Sequence, residues 1–392
     1  MPDAVLALNA GSSSIKFALF ETAADRQLTA AFRGQIEGIG TAPHFIARDP
    51  AGAVQHEQHF SGGSHEDLLG ALLRFVDSHL GTDALRGVGH RVVHGGSRFT
   101  RPTRIDTETL TAIEALTPLA PLHQPHSVSP IRAIAATRPA LPQVACFDTA
   151  FHHDMPAVAA RLALPRSFEA EGIRRYGFHG LSYEYIARRL RETAPALAAG
   201  RVIAAHLGNG ASLCAMRDGR SIDTTMGFTA LDGLVMGTRC GTLDPGVVLH
   251  LIQQRGMTAD AVETLLYHRS GLLGVSGISN DMRELLSSED PHAREALDLF
   301  AFRLAREAGG LASSLGGLDG FVFTAGIGEH AAPVRAAAGE RLAWLGARID
   351  AAANARADTV ISTPDSRVDV RVIPTDEEAM IAQHTLETIG DE

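Results

Sequence analysis

The chain carries the same short pattern twice, about half its length apart, and this repeat constrains the fold more than any other feature. Residues 5–8 form an apolar run that leads through a turn of Asn, Gly and Ser into a second apolar run at residues 15–20. Residues 202–206 lead through a similar turn into residues 213–216. Each segment predicts a β-hairpin, and a duplicated hairpin predicts two homologous domains with a cleft between them.

The length and the order of the segments agree with this prediction. The chain has 392 residues, and a single core stops growing at about 250–300 residues. β-Branched runs alternate with amphipathic stretches, which predicts an α/β fold whose sheets are covered by helices. We place the first domain at residues 1–150, completed by a C-terminal helix at residues 375–392, and the second at residues 151–374.

Hydrophobic periodicity predicts the individual elements. Strands are predicted at residues 5–8, 15–20, 87–93, 143–147, 202–206, 320–323 and 368–373. Helices are predicted where apolar residues recur at three- and four-residue steps, including residues 65–80, 182–193, 245–254, 259–268 and 295–315.

The composition excludes several classes of function. The net charge is −10 and the pI is near 6.0, whereas a nucleic-acid-binding surface is basic, so we expect no nucleic-acid partner. No basic residue precedes the first apolar run, and no apolar stretch reaches the length of a membrane helix, so we expect no signal peptide and no membrane partner. Cys146, Cys214 and Cys240 are too far apart for a zinc or redox motif, and we expect buried thiols in a reducing cytoplasm.

The first turn, between Asn9 and Lys16, is rich in groups that bind phosphate. Gly11 permits a close approach of the backbone, and Ser12 and Ser14 supply hydroxyl donors. Of the 35 basic side chains, 34 are arginine and Lys16 is the single lysine, which marks this turn further. A Walker-type P-loop is excluded because its motif is missing and a strand, not a helix, follows. The alternative is an ordinary Ser–Gly hairpin turn.

Two other glycine-rich turns suggest a nucleotide. Gly208 and Gly210 flank Asn209 in the second hairpin, and two such turns facing each other can hold successive phosphates. Gly326 and Gly328 follow a predicted buried strand and precede a predicted helical stretch. Glycines there allow the backbone to lie against a flat ring, so this segment is a candidate for adenosine binding.

Arg91 and Arg239 are the strongest anion-binding candidates among the many arginines. Arg91 is followed closely by two glycines, and Arg239 lies between glycines, so neither fits a surface-helix pattern. His90 and His94 have a spacing that binds zinc on a helix. The β-branched residues between them predict a strand instead, so we reject a zinc site.

Carboxylates that suit magnesium occur at two places. Asp148 follows a predicted strand, and Glu377 lies in an acidic run at the start of the last predicted helix. The alternative for Glu377 is helix capping, since acidic residues favour a helix N-terminus. His179 lies in a Tyr-Gly-Phe-His-Gly turn, where the alternative is a purely structural histidine.

Taken together, these segments resemble the acetate kinase family, within the larger group of kinases that share the actin and Hsp70 ATPase fold. The resemblance covers essentially the whole chain, and its motifs occur in order. They are N-A-G-S-S-S-I-K-F from Asn9, H-R-V-V-H-G-G from His90, F-D-T-A-F-H from Phe147, R-Y-G-F-H-G from Arg175, H-L-G-N-G-A-S from His206, M-G-T-R-C-G from Met236, S-G-I-S-N-D from Ser276 and F-T-A-G-I-G-E from Phe323.

The resemblance implies two duplicated actin-like, ribonuclease H-like domains and a role for each candidate residue. The first phosphate loop would comprise Asn9, Ser12, Ser14 and Lys16, and the second His206, Gly208, Asn209 and Gly210. Adenosine would contact Asp281, Gly326, Ile327 and Gly328, and Mg²⁺, replaceable by Mn²⁺, would be held by Asn9, Asp148 and Glu377. The catalytic groups would be Arg91, Asp148, His179 and Arg239, and the acyl substrate would contact Arg91, Val93, Leu122 and His123.

The activity implied by the resemblance is reversible transfer of the ATP γ-phosphoryl group to acetate by direct in-line displacement. A carboxylate is already a nucleophile at neutral pH, so the transfer needs positioning and charge neutralisation, not a general base. Ala230 stands where the family usually has proline, so a propionate or other short-chain carboxylate kinase is the alternative. A nucleotide sensor or an actin-like filament protein is a rival from another class. The family also implies a homodimer.

Overall fold

The computed structural model describes residues 3–11, 13–23, 27–80 and 84–390, and in it the chain forms two compact units. The first unit comprises Met1–Phe151 and Asp376–Glu392, and the second comprises His152–Thr375. Each unit has one sheet flanked by helices, which confirms the predicted α/β fold. The domain limits were predicted for two homologous domains. A division into compact units does not test homology, so these limits stay a prediction.

Thirteen strands lie in the described residues. They are β1 (Asp3–Ala10), β2 (Ser14–Thr22), β3 (Leu28–Glu37), β4 (His44–Arg48), β5 (Val54–His59), β6 (Leu85–Val92), β7 (Thr103–Arg104), β8 (Gln143–Phe147), β9 (Arg201–Leu207), β10 (Ala211–Arg217), β11 (Arg220–Thr224), β12 (Gly320–Thr324) and β13 (Asp369–Val372). All seven predicted strands are confirmed, with ends that differ by at most two residues.

Sixteen α-helices lie in the same residues. They are α1 (His65–Leu80), α2 (Thr107–Glu114), α3 (Gln124–Thr137), α4 (Ala157–Ala160), α5 (Arg166–Ala170), α6 (Gly180–Thr193), α7 (Pro195–Ala198), α8 (Pro245–Gln253), α9 (Ala259–His268), α10 (Gly271–Ser276), α11 (Met282–Ser287), α12 (Pro291–Leu315), α13 (Ala325–His330), α14 (Ala332–Leu342), α15 (Ala351–Arg356) and α16 (Glu377–Gly390). The five predicted helices are confirmed as α1, α6, α8, α9 and α12. None of the helices in the described part of the chain combines the length and apolarity needed to cross a membrane.

The sheet of the first unit has the order β5-β4-β3-β2-β1-β6-β8-β7. Strands β1 to β5 form an antiparallel meander, whereas β1, β6 and β8 are parallel. Because the carboxyl ends of parallel strands meet at one edge, the residues that end β1, β6 and β8 or follow them directly lie close together. This edge carries the candidate residues of the first unit.

Helices cover both faces of this sheet. Helix α1 buries an apolar stripe that includes Leu68, Leu72 and Val76 in the core. Helix α16 packs against β1, β6 and β8. Its close approach requires a glycine at position 89, since a Cβ there would lie 2.1 Å from Thr385 Oγ1.

The sheet of the second unit has the order β11-β10-β9-β12-β13. Strands β9 and β10 form the second predicted hairpin, and β12 runs parallel to β9 and β13. The turn after β9 and helix α13 after β12 therefore start from the same edge of the sheet. Long helix α12 packs its small and apolar face, which includes Ala301, Leu304 and Ala308, against β9, β10 and β11.

Candidate active site

Arg91 is the centre of a buried polar cluster in the first unit. Its Nε donates to Oδ1 and Oδ2 of Asp148 at 2.9 and 3.1 Å, and its Nη2 donates to Oδ2 at 2.6 Å. Its Nη1 donates to Asn9 Oδ1 at 3.1 Å. Glu377 Oε2 lies 4.0 Å from Arg91 Nε. The structure thus brings the three predicted metal ligands and one predicted catalytic arginine together.

Burial and like charge determine the electrostatics of this cluster. Burial alone would lower the pKa of Arg91, but Asp148, Glu377 and Glu378 raise it above its usual value. Burial raises the pKa of Glu377 to about 7; Arg91 and Lys16 oppose this rise, and Asp148 and Glu378 add to it. The cluster holds more carboxylates than cations, so it favours binding of an additional cation.

The predicted phosphate loop is a tight turn closed by a hydrogen bond from Gly11 N to Ser14 O at 2.8 Å. His65 Nε2 contacts the Gly11 carbonyl at 3.1 Å and supports the turn from α1. Lys16 is exposed on β2, directly opposite Asn9 in the β1–β2 ladder. Ser12, the other predicted member, lies outside the described residues.

The predicted acyl-binding residues lie in two segments, and hydrogen bonds from the buried side chain of Gln124 connect these segments. Val93 directly follows β6, and Leu122 and His123 directly precede α3; all three are half-buried. Gln124, which is fully buried, accepts from His94 N at 3.2 Å and donates to His94 O at 3.1 Å. Sequence reasoning missed Gln124, because a glutamine at a helix start carries no signal of burial.

His179 in the second unit is oriented by two buried hydroxyls. Its Nδ1 lies 2.8 Å from Ser212 Oγ, and Tyr183 Oη lies 2.5 Å from the same oxygen. Ser212 Oγ therefore bridges the imidazole of His179 and the phenol of Tyr183. Donation from Ser212 to Nδ1 would leave the proton of a neutral His179 on Nε2.

Gly210 brings His179 and Arg239 to the same point. A Cβ at position 210 would lie 2.6 Å from Arg239 Nη2 and 3.4 Å from His179 Nε2. Arg239 Nη1 donates to the carbonyl of Ala230 at 2.5 Å, which connects it to the segment that departs from the family pattern. Two donors, one of them cationic, thus flank the tip of the second hairpin, an arrangement that suits an anion.

A cavity of about 440 Å³ lies beside this hairpin tip. It is lined by Gly208, Asn209, Asn280, Asp281, Met282, Arg283, Leu286, Gly326, Ile327, His330 and Ala331. The predicted adenosine residues Asp281, Gly326 and Ile327 are therefore brought together with Asn209. Gly326 presents open space where a side chain would stand. The volume and the mixed lining are typical of small-molecule sites.

The glycines of this region differ from the prediction in one respect. They were expected between a strand and a helical stretch, but Gly326 and Gly328 lie within the short helix α13. Arg335, which is 1% exposed, supports this helix by donating to the carbonyls of Gly328 and Glu329 at 2.9 and 2.8 Å. Its Nε donates to Asn354 Oδ1 at 2.7 Å. Sequence analysis missed Arg335 because most arginines of a protein lie on its surface and the chain has many of them. It missed Asn354, the hydrogen-bond partner of Arg335, together with it.

Comparison with known proteins identifies the family. The model of the acetokinase family matches residues 4–383. The chain belongs to the acetokinase family. The match covers both units, including the first half of α16, so it applies to the cluster around Arg91 and to the cavity beside Asn209.

Named relatives and solved structures agree with this assignment. The acetate kinase of Rhodopseudomonas palustris is 55% identical over 392 residues, which is 98% of each chain. The acetate kinase of Deinococcus radiodurans is 45% identical, again over 98% of each chain. A propionate kinase structure from Francisella tularensis has a TM-score of 0.90 at 38% identity, covering 97% of this chain and 98% of that one. The Porphyromonas gingivalis acetate kinase structure has a TM-score of 0.86 at 35% identity, covering 99% and 100%.

Proposed function

We propose that this protein transfers the γ-phosphoryl group of ATP to acetate, giving acetyl phosphate and ADP, and catalyses the reverse reaction. The family match over both units and the full-length relatives named acetate kinase support the kinase class. The observation that carries the chemistry is the partly buried arginine Arg91, held by Asp148 and Asn9. A nucleotide sensor or filament protein has no use for such a group.

Each group of site residues has its own role in the phosphoryl transfer. Arg91 and Arg239 neutralise the acetate carboxylate and the phosphoryl group in transit, which allows an acetate oxygen to attack phosphorus in line with the leaving ADP. His179 donates its Nε2 proton to an equatorial phosphoryl oxygen, in the tautomer that Ser212 sets. The cavity beside Asn209 receives the adenosine. The transfer requires that all these groups act on one ATP molecule.

Magnesium is the metal that the first unit suits. Asn9, Asp148 and Glu377 offer oxygen donors, which Mg²⁺ and Mn²⁺ prefer. Burial raises the pKa of Glu377, and the neighbouring Asp148 and Glu378 add to the rise, so a bound cation would be favoured beside this carboxylate. These three residues would hold the ion, and the ion would neutralise charge on the ATP phosphates. Lys16 and the Gly11–Ser14 turn would orient the phosphates.

Propionate is the second candidate substrate. Ala230 leaves more room than the usual proline, and a solved structure at 38% identity is named a propionate kinase. Val93 supports acetate, because it occupies the position of the family's apolar wall against the methyl group. One methylene is worth about 1–3 kcal/mol in such a pocket, so overlapping activities are expected.

A hydroxamate trap of the acyl phosphate tests the function. The purified protein is incubated with ATP, Mg²⁺ and acetate, propionate, butyrate or formate in separate reactions. We expect the fastest product with acetate and slower product with propionate. No product with any of the four acids would exclude the kinase, and faster product with propionate would reverse the substrate order.

We also propose a homodimer that acts in the cytoplasm. Helix α8 contains no buried residue although it is apolar, and Val247, Leu249 and Ile252 are 39%, 54% and 39% exposed. Such a surface is typical of a subunit interface. Leu249→Glu should convert the dimer to a monomer in sedimentation, and a wild-type protein that sediments as a monomer would contradict this. Cys146, Cys214 and Cys240 form no disulfide, which supports the proposal of a reducing compartment.

A further inference from the structure

Lys16 supplies the only side-chain amine of the whole chain. The other 34 basic side chains are arginines, so the backbone N-terminus is the only further amine that the sequence provides. Lys16 is exposed and lies opposite Asn9 on β2. Asn9 in turn accepts a hydrogen bond from Arg91 Nη1 at 3.1 Å. The single amine therefore lies at the cluster that handles the acyl group.

The proposed product is chemically reactive toward such an amine. An acyl phosphate is a mixed anhydride, and an uncharged amine attacks its carbonyl carbon. An amide bond forms, the bond between the acyl carbon and the bridging oxygen breaks, and inorganic phosphate leaves with the electron pair. The amine proton passes to solvent or to the phosphate. Arginine is not a comparable nucleophile because its guanidinium stays protonated.

We propose that Lys16 is a self-acylation site, modified by the acyl phosphate that the protein itself makes. This inference rests on the proposed function. Acylation removes the one ammonium group that acts on Glu377 and on bound phosphates, so it lowers turnover as product accumulates. Because the chain has no other lysine, acylation of side-chain amines is confined to this one position.

The test uses intact-mass measurement and peptide mapping of the full chain. The protein is incubated with ATP, Mg²⁺ and acetate, and separately with synthetic acetyl phosphate alone. The matched control is Arg86→Lys, which adds an exposed amine at the opposite end of β6 from Arg91, at a position where the side chain is 60% exposed. During turnover, acetyl should accumulate on Lys16 at least about tenfold faster than on the introduced amine, because proximity raises the effective concentration.

The outcomes separate this inference from the proposed function. The inference is supported if acetylation of Lys16 parallels the loss of turnover and if this acetylation is missing from Lys16→Arg. An unmodified Lys16 in both incubations, or equal rates at Lys16 and the introduced amine, would overturn it. The hydroxamate trap reports acyl phosphate formation independently, so a failure of the kinase proposal is recognised by that assay alone.

Discussion

Replacing Arg91 by alanine should damage both stability and turnover, by amounts that the structure allows us to estimate. The change removes three hydrogen bonds to Asp148 and one to Asn9. Asp148, which is 1% exposed, and Glu377 would then lack their nearest cation. Breaking a buried ion pair by removing one partner costs about 3–5 kcal/mol. Loss of a cationic clamp on the transferring phosphoryl group costs about 10³–10⁵ in turnover.

The stability effect is best measured locally, because a chain with two compact units need not unfold in one step. Hydrogen exchange of the β6 and β8 amides reports the free energy of opening of the first unit. The matched control is Arg33→Ala, which removes a partly exposed ion pair with Asp376 and should cost at most about 1 kcal/mol.

A double variant separates the two effects. Asp148→Asn combined with Arg91→Ala removes the uncompensated carboxylate, so it should recover part of the lost stability while turnover stays low. Turnover of Arg91→Ala within tenfold of wild type would refute the clamp. A loss of stability no larger than that of Arg33→Ala would refute the buried ion-pair argument.

Three further perturbations test other parts of the site. The pKa of Glu377 is raised from 4.5 to about 7 on folding, so it contributes stability below pH 4.5 that is lost as pH rises through 7. The difference in opening free energy of the first unit between wild type and Glu377→Gln should therefore fall across this window; hydrogen exchange of the β6 and β8 amides at several pH values measures it, and a constant difference would contradict the argument. Ser212→Ala should lower turnover about tenfold, which corresponds to the free energy of one hydrogen bond. It should also shift the ¹⁵N signals of His179 away from the Nε2–H tautomer, and unchanged signals would contradict the role of Ser212 in setting that tautomer. Ala230→Pro should lower the kcat/KM ratio of propionate to acetate by up to about tenfold, and an unchanged ratio would remove Ala230 from the acyl pocket.

Strands that are buried on both faces were the easiest to predict from the sequence. Strands β8 and β12 are continuous apolar runs and are fully buried, so their composition alone identifies them. Strand β5 was missed because polar and charged residues fill five of its six positions, and β3 because four polar or charged residues interrupt its apolar ones. Hydrogen bonding to β2 and β4 determines them, and a single sequence does not show that pairing.

The candidate site was predictable where a motif contains the functional group itself. Arg91, Asp148 and Asn9 come from three motifs, and the structure brings them into contact. The supporting groups were not predictable. Ser212 ends a motif without a predicted role, and Tyr183 lies within an ordinary helical pattern. Their contact with each other and with His179 depends on packing that only the structure shows.

Helix α16 has a consequence for the order in which the protein folds during synthesis. This helix covers β1, β6 and β8 with Ile381 and Thr385, both fully buried, although those strands are made long before it. The first unit therefore cannot close its core until the second unit has been synthesised, so the second unit should reach its native structure first. A ribosome-bound chain that stops before α16 should expose the sheet face around Gly89, and chaperones that bind apolar surface should recognise it there.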